Sequence, residues 1–119
     1  MRVCSRRLGG LGGLRALSKN AAEPFCIFVF APSNMGAYSR MFAPAYGIVE
    51  DPATGSSTGP LASYMIRHKL APGDGIRFIS EQGTSMGRRN LLHINVQGQG
   101  IEVGGYVTPV IDATLHLEL

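Results

Sequence analysis

The sequence predicts an α+β domain in which a curved, barrel-like sheet, mostly antiparallel or mixed, wraps one central helix. Three observations carry this expectation. Over residues 58–70 the pattern is helical, and Leu61, Ala62, Tyr64, Met65 and Ile66 spread apolar side chains round nearly the whole circumference, as a helix covered on several sides requires. Ahead of it, residues 25–31 form an unbroken run of β-favouring residues. Behind it, five short β-patterned stretches follow one another with glycines between them, at the spacing of a meandering sheet.

From the N-terminus, Arg2, Arg6, Arg7, Arg15 and Lys19 precede any acidic residue. This superficially resembles an organelle transit peptide, but Leu8, Leu11, Leu14, Ala16 and Leu17 favour a short, glycine-weakened helix over residues 1–22. The domain proper is expected over residues 23–119. Its first strand, residues 25–31, reads as buried on both faces and is stopped by Pro32-Ser33-Asn34. Tyr38, Arg40 and Phe42 then alternate with Ser39, Met41 and Ala43, a second strand that delivers the chain to Pro44 and the bend at Gly47.

Pro60 lacks an N–H and is expected in the first helical turn, which sets helix entry near Ser56 or Ser57, where a serine can cap the exposed donors. Arg67, His68 and Lys69 suit the negative end of the helix, and Pro72-Gly73 stops it. His68 is accordingly read as a helix-end cation rather than a base. The strands that follow are expected at residues 76–81, 91–97, 101–103, 106–111 and 114–119. Leu115, Leu117 and Leu119 share one face of the last, which turns His116 to solvent, and His93, between Leu92 and Ile94, reads as a satisfied structural residue.

Composition excludes several functions. At 119 residues the chain makes one domain, and its 45% hydrophobic content is that of a packed core rather than of disorder. No apolar run approaches the roughly 20 residues that span a bilayer, so no membrane partner is expected. The formal net charge of +3 is an end effect, because after residue 22 six basic residues face eight acidic ones. That balance argues against a nucleic-acid surface. Cys4 and Cys26 stand in unrelated settings and make neither a disulfide framework nor a zinc site, and a reducing cytoplasm is the expected location.

The chemistry concentrates in Glu50-Asp51-Pro52-Ala53-Thr54-Gly55-Ser56-Ser57-Thr58-Gly59-Pro60. It sets two carboxylates and a hydroxyl-rich loop directly before a helix, where backbone N–H groups lack intrahelical partners and the dipole favours an anion. A carboxylate beside such a site is where an acid or base is useful, although the same residues also serve as an ordinary cap. Nothing supports a dinucleotide fingerprint or a phosphate loop: no strand leads into G-x-G-x-x-G, and no lysine follows the glycine of Thr54-Gly55-Ser56.

Arg40-Met41-Phe42-Ala43-Pro44, Gly47-Ile48, the stretch from Glu50 to Ser56, Gly59-Pro60-Leu61-Ala62, Gln82-Gly83, Met86-Gly87-Arg88 and Val103-Gly104-Gly105 resemble, in order and spacing, the C-terminal half of the PhzF-like (phenazine-biosynthesis-like) family. The resemblance implies half of a diaminopimelate epimerase-like fold, in which two similar halves enclose one active site. It implies an isomerase that moves a proton at carbon on a small carboxylate-bearing metabolite, with no metal or organic cofactor. Asp51 and Ser56 would be the catalytic residues, and Thr54, Gly55, Ser56 and Ser57 would bind the substrate. The half that supplies the family's glutamate base is missing, so the implied partner is a complementary N-terminal half or a second copy in a homodimer. A non-catalytic carboxylate-binding or protein-interaction module is the alternative. Arg89-Asn90 departs from the family's usual Pro-Ser after Met-Gly-Arg.

Overall fold

The computed structural model of the chain describes residues 23–117, together with Gly12, Gly13 and Ala16. The helix expected over residues 1–22 otherwise lies outside the described residues. Strands β1 (Ile27–Ser33), β2 (Gly36–Ala43) and β3 (Ile48–Asp51) precede helix α1 (Gly55–Arg67), and β4 (Arg77–Gln82), β5 (Asn90–Gln97) and β6 (Gly100–Gly104) follow it. All six strands among the described residues belong to one mixed sheet in the order β1-β2-β4-β5-β6, with β3 against β2.

The inner edge of β2 is shared between two neighbours. Residues 36–39 run parallel to residues 79–82 of β4, and residues 41–43 pair antiparallel with β3 across a bulge. This division brings the end of β3 beside the end of β4, and the site is built there. The turn at Asn34-Met35 that joins β1 to β2 closes on β4, because the Met35 carbonyl accepts the Ile79 N–H at 2.8 Å. Gly36 has φ +144°, and a Cβ there would lie 2.2 Å from the Ile79 carbonyl oxygen, so only glycine fits.

Helix α1 lays Leu61, Ala62 and Met65 against Ala37, Phe78 and Ile94, with Phe28, Phe30, Val96 and Ile101 closing the rim. That is one face only. Tyr64 (49% exposed) and Ile66 (37%) remain on the open side, and the sheet does not close into a barrel. The expected wrapping on several sides is therefore corrected to packing on one. Tyr64 instead meets Phe30 edge-on at 5.7 Å and stacks on His68 at 4.2 Å.

The helix also begins and ends three residues earlier than expected. Thr54 is its N-cap, which leaves Pro60 inside the helix rather than in the first turn, and the Ser56 carbonyl loses the donor that residue 60 would otherwise supply. At the other end Lys69 turns left-handed (φ 55°), while Leu70 N–H reaches the Met65 carbonyl at 2.7 Å and Lys69 N–H that of Ile66 at 3.1 Å. This Schellman pair ends the helix before Pro72-Gly73 is reached.

Three further expectations change. Strand β1 is an edge strand with half-buried side chains, not one buried on both faces, and Cys26 lies exposed just before it. Residues 106–111 and the described part of 114–119 form no strand, and Tyr106, Val107, Val110, Ile111, Leu115 and Leu117 are all largely exposed; Leu119 lies outside the described residues. His93 meets the ring of Tyr106 edge-on at 5.2 Å, but its buried Nε2 has no hydrogen-bond partner among the described residues, so it is not the satisfied residue expected.

Candidate active site

Alternation along β3 sends Glu50 and Asp51 to opposite faces. Glu50 is fully engaged by Arg40 on β2, whose Nε donates to Oε1 at 2.8 Å and whose terminal nitrogen donates to Oε2 at 2.7 Å. The hydrogen bond to Glu50 and its charge hold the Arg40 guanidinium above its ordinary value, against the opposing effect of burial. Arg40 also lies over the Phe42 ring, 4.9 Å from its centre. Glu50 is thus a structural carboxylate.

Asp51 is half-buried, and its Oδ2 accepts the Thr54 hydroxyl proton at 2.5 Å. Its other oxygen has no partner among the described residues and is not sealed from solvent. Thr54 is buried and fully occupied. Its N–H donates to Gln82 Oε1 at 3.1 Å, its hydroxyl oxygen accepts from Gln82 Nε2 at 2.8 Å, and its carbonyl accepts from the Thr58 hydroxyl at 2.8 Å.

The next three residues differ. Thr54 makes no side-chain cap bond, so the expected capping of the helix donors by a side chain does not occur. Among the described residues the N–H groups of Gly55, Ser56 and Ser57 have no protein acceptor, as the first turn of a helix leaves them unless something caps it. Gly55 and Ser56 are exposed and Ser57 is half-buried. The structure therefore brings Asp51, Thr54, Gly55, Ser56 and Ser57 to one helix mouth. It keeps Glu50 apart, on the other side of β3.

Two residues that give this mouth its form carry no site role in the sequence reading. Gln82 also donates to the Asp51 carbonyl at 2.7 Å, and Asn90 donates to the Pro52 carbonyl at 3.0 Å and that of Arg88 at 2.7 Å. Gln82 and Asn90 are register partners on β4 and β5, so one strand pair grips two consecutive carbonyls of the loop. The departure Arg89-Asn90 is the only signal that pointed to Asn90. Arg89 serves another contact: it donates to Glu81 Oε2 at 2.9 Å, while the Thr84 hydroxyl donates to Oε1 at 2.6 Å.

The Arg89 hydrogen bond holds the Glu81 carboxyl below its ordinary value, although burial opposes it. A depressed carboxylate stabilises the fold fully above its unfolded value and loses that contribution as pH falls through the folded one. Arg89→Met is therefore expected to lower the urea midpoint at pH 7, and the gap from the parent should close on acidification below about pH 4. A gap constant across pH would show that the pair contributes nothing to the pH dependence.

Among the described residues no group of three His, Cys, Asp or Glu side chains is placed to hold a metal ion. Nor is any described helix long and apolar enough to cross a membrane. The arrangement provides one carboxylate with a free oxygen next to a row of free amide donors, which suits binding a small anion and moving a proton beside it.

Comparison with known proteins supplies the relationship. A family model described as phenazine biosynthesis-like protein matches residues 18–113. The uncharacterized isomerase YddE of Escherichia coli is 32% identical over 117 residues, covering 92% of this chain and 39% of that protein. The trans-2,3-dihydro-3-hydroxyanthranilate isomerase of Pseudomonas aeruginosa is 43% identical over 82 residues, covering 64% of this chain and 29% of that enzyme. An uncharacterized isomerase of Clostridium acetobutylicum is 42% identical over 76 residues, 59% of this chain and 25% of its own length. The chain thus spans about two-fifths or less of the length of these relatives. By the match over most of its length, the chain belongs to the phenazine biosynthesis-like protein family.

Proposed function

We propose that this chain forms the carboxylate-binding wall of a cofactor-independent isomerase that transfers a proton at carbon on a small carboxylate-bearing metabolite. The observation that carries the reading is the row of unoccupied N–H groups at Gly55, Ser56 and Ser57 beside an Asp51 carboxylate with one free oxygen. In this reading those amides receive the substrate carboxylate, and the exposed Ser56 hydroxyl contacts the substrate. Asp51 takes or returns the proton. Thr54 acts indirectly, because its N–H and hydroxyl are occupied by Gln82 and Asp51 and its carbonyl by Thr58. The isomerase names of the relatives support the reaction class.

Glu50 is locked to Arg40, so a second acid or base has to come from outside the described residues, from a complementary half or a second copy. The exposed apolar side chains of Tyr106, Val107, Val110 and Ile111 are consistent with such a partner. With no partner, the same observation favours a non-catalytic carboxylate-binding module. In either case, titrating anthranilate into the isotope-labelled chain is expected to shift the amide resonances of Gly55, Ser56 and Ser57, with a dissociation constant of about a millimolar, or roughly −4 kcal/mol. Arg67 and His68 at the other helix end should not move. No shift at the three amides would overturn both readings.

A further inference from the structure

Gln82 is one of the largest side chains the fold buries completely, 1% exposed, so it is screened from any substrate. Its Nε2 gives its two protons to the Asp51 carbonyl at 2.7 Å and to the Thr54 hydroxyl oxygen at 2.8 Å, and its Oε1 accepts the Thr54 N–H at 3.1 Å. The opposite amide orientation would set oxygen against the Asp51 carbonyl and NH2 against an N–H, so only this one satisfies every group. A threonine hydroxyl has one proton. With Gln82 donating to its oxygen, that proton points to Asp51 Oδ2, as the Thr54 to Asp51 bond records.

We propose that Gln82 is the positioning residue of this site: by donating to Thr54 it directs the threonine hydroxyl at Asp51 Oδ2, which holds the carboxylate in one χ1 rotamer and leaves Oδ1 as the oxygen that meets substrate. The inference rests on the reading of Asp51 as the acid/base group. Gln82 grips the same residue at a second point, its main-chain carbonyl, and Asn90, opposite Gln82 in register, holds the next carbonyl along. Backbone and side chain of Asp51 are therefore set by one strand pair, and a group held to within a fraction of an ångström is what proton transfer at carbon requires.

The test uses the full chain without ligand, so it can fail while the anthranilate titration succeeds, and the reverse. Three-bond couplings to the Asp51 carboxyl carbon report its χ1 rotamer by nuclear magnetic resonance. The parent chain and Thr54→Ser, which keeps the hydroxyl, are expected to show one rotamer. Thr54→Val removes the hydroxyl, and Gln82→Glu keeps the shape but turns a donor into an acceptor, which draws the hydroxyl proton away from Asp51. Both should show rotamer averaging, with the amide resonances of Met65 and Ile94 unmoved as a check on the core. A single rotamer in either variant overturns the proposal, and so does averaging in Thr54→Ser as large as in Thr54→Val. If Gln82→Glu does not fold, Gln82→Met, which removes the donor, takes its place, and a single rotamer there overturns the proposal.

Discussion

Gly83→Ala is expected to destabilise the protein by about 2–5 kcal/mol in urea denaturation, from about 1–2 kcal/mol for a left-handed non-glycine backbone and about 1–3 kcal/mol for overpacking. Gly83 has φ +80°, and a Cβ there would lie 2.1 Å from the Arg88 carbonyl oxygen and 2.8 Å from that of Pro52. Both obstacles are backbone, and neither has a rotamer to escape into. The Gly83 carbonyl itself accepts the N–H groups of Met86 and Arg88 at 3.0 Å, so the residue cannot shift away without opening its own turn. Gly87 provides the control: its φ of +73° is similar, but nothing lies within 4 Å of the Cβ it lacks. Gly87→Ala should therefore lose only the backbone contribution, about 1–2 kcal/mol. Equal losses in the two variants would show that the close approach to Pro52 and Arg88 is not enforced. Because Pro52 lies in the loop that carries Asp51 to the helix, Gly83→Ala should also weaken the anthranilate response, while Gly87→Ala should leave it intact.

How much of this was legible in the sequence follows the range over which each signal acts. The helix mouth was legible because its parts are adjacent: Asp51, the hydroxyl-rich loop and the apolar run occupy consecutive positions. The opposed facing of Glu50 and Asp51 follows from strand alternation between neighbours in the chain. Helix entry was misplaced because the rule for proline is local, whereas Thr54 is made the N-cap by Gln82, 28 residues further along. A buried amide that engages both the N–H and the hydroxyl of Thr54 outweighs one lost helical bond at Ser56. Gln82 carries no local mark of its role, since the role exists only once β4 lies beside the end of β3.

The misjudged strands share a cause. An apolar run such as Phe28 to Phe30 predicts cover on both faces of a strand, but β1 has only β2 beside it and its side chains are half-buried or exposed. Leu115 and Leu117 alternate as a strand should, yet no described strand pairs with them. The same holds for Tyr64 and Ile66. Their apolar character called for full cover, and the described residues cover them only in part, Tyr64 through Phe30 and His68. Among the described residues these apolar positions are left exposed.

Asp51→Asn, placed in an assembly with a complementary half, is expected to cut solvent-deuterium exchange into substrate by about 10²–10⁴-fold, the range that a positioned acid or base contributes. The substitution is nearly isosteric. The asparagine carbonyl oxygen can still accept the Thr54 hydroxyl, so the loop and its bonds to Gln82 should persist and the urea midpoint should change little. What changes is that the free oxygen becomes an NH2 with no usable basicity. Removing a negative charge next to the amides of Gly55, Ser56 and Ser57 should meanwhile leave anthranilate binding equal or tighter, since a carboxylate opposes the approach of another. The pair of readouts separates the roles: lost exchange with retained binding identifies Asp51 as the proton carrier, whereas lost binding makes it a scaffold for the anion site. Undiminished exchange would remove Asp51 from the chemistry, and the free oxygen beside the helix mouth would then have only its hydrogen bond to the loop to account for its position.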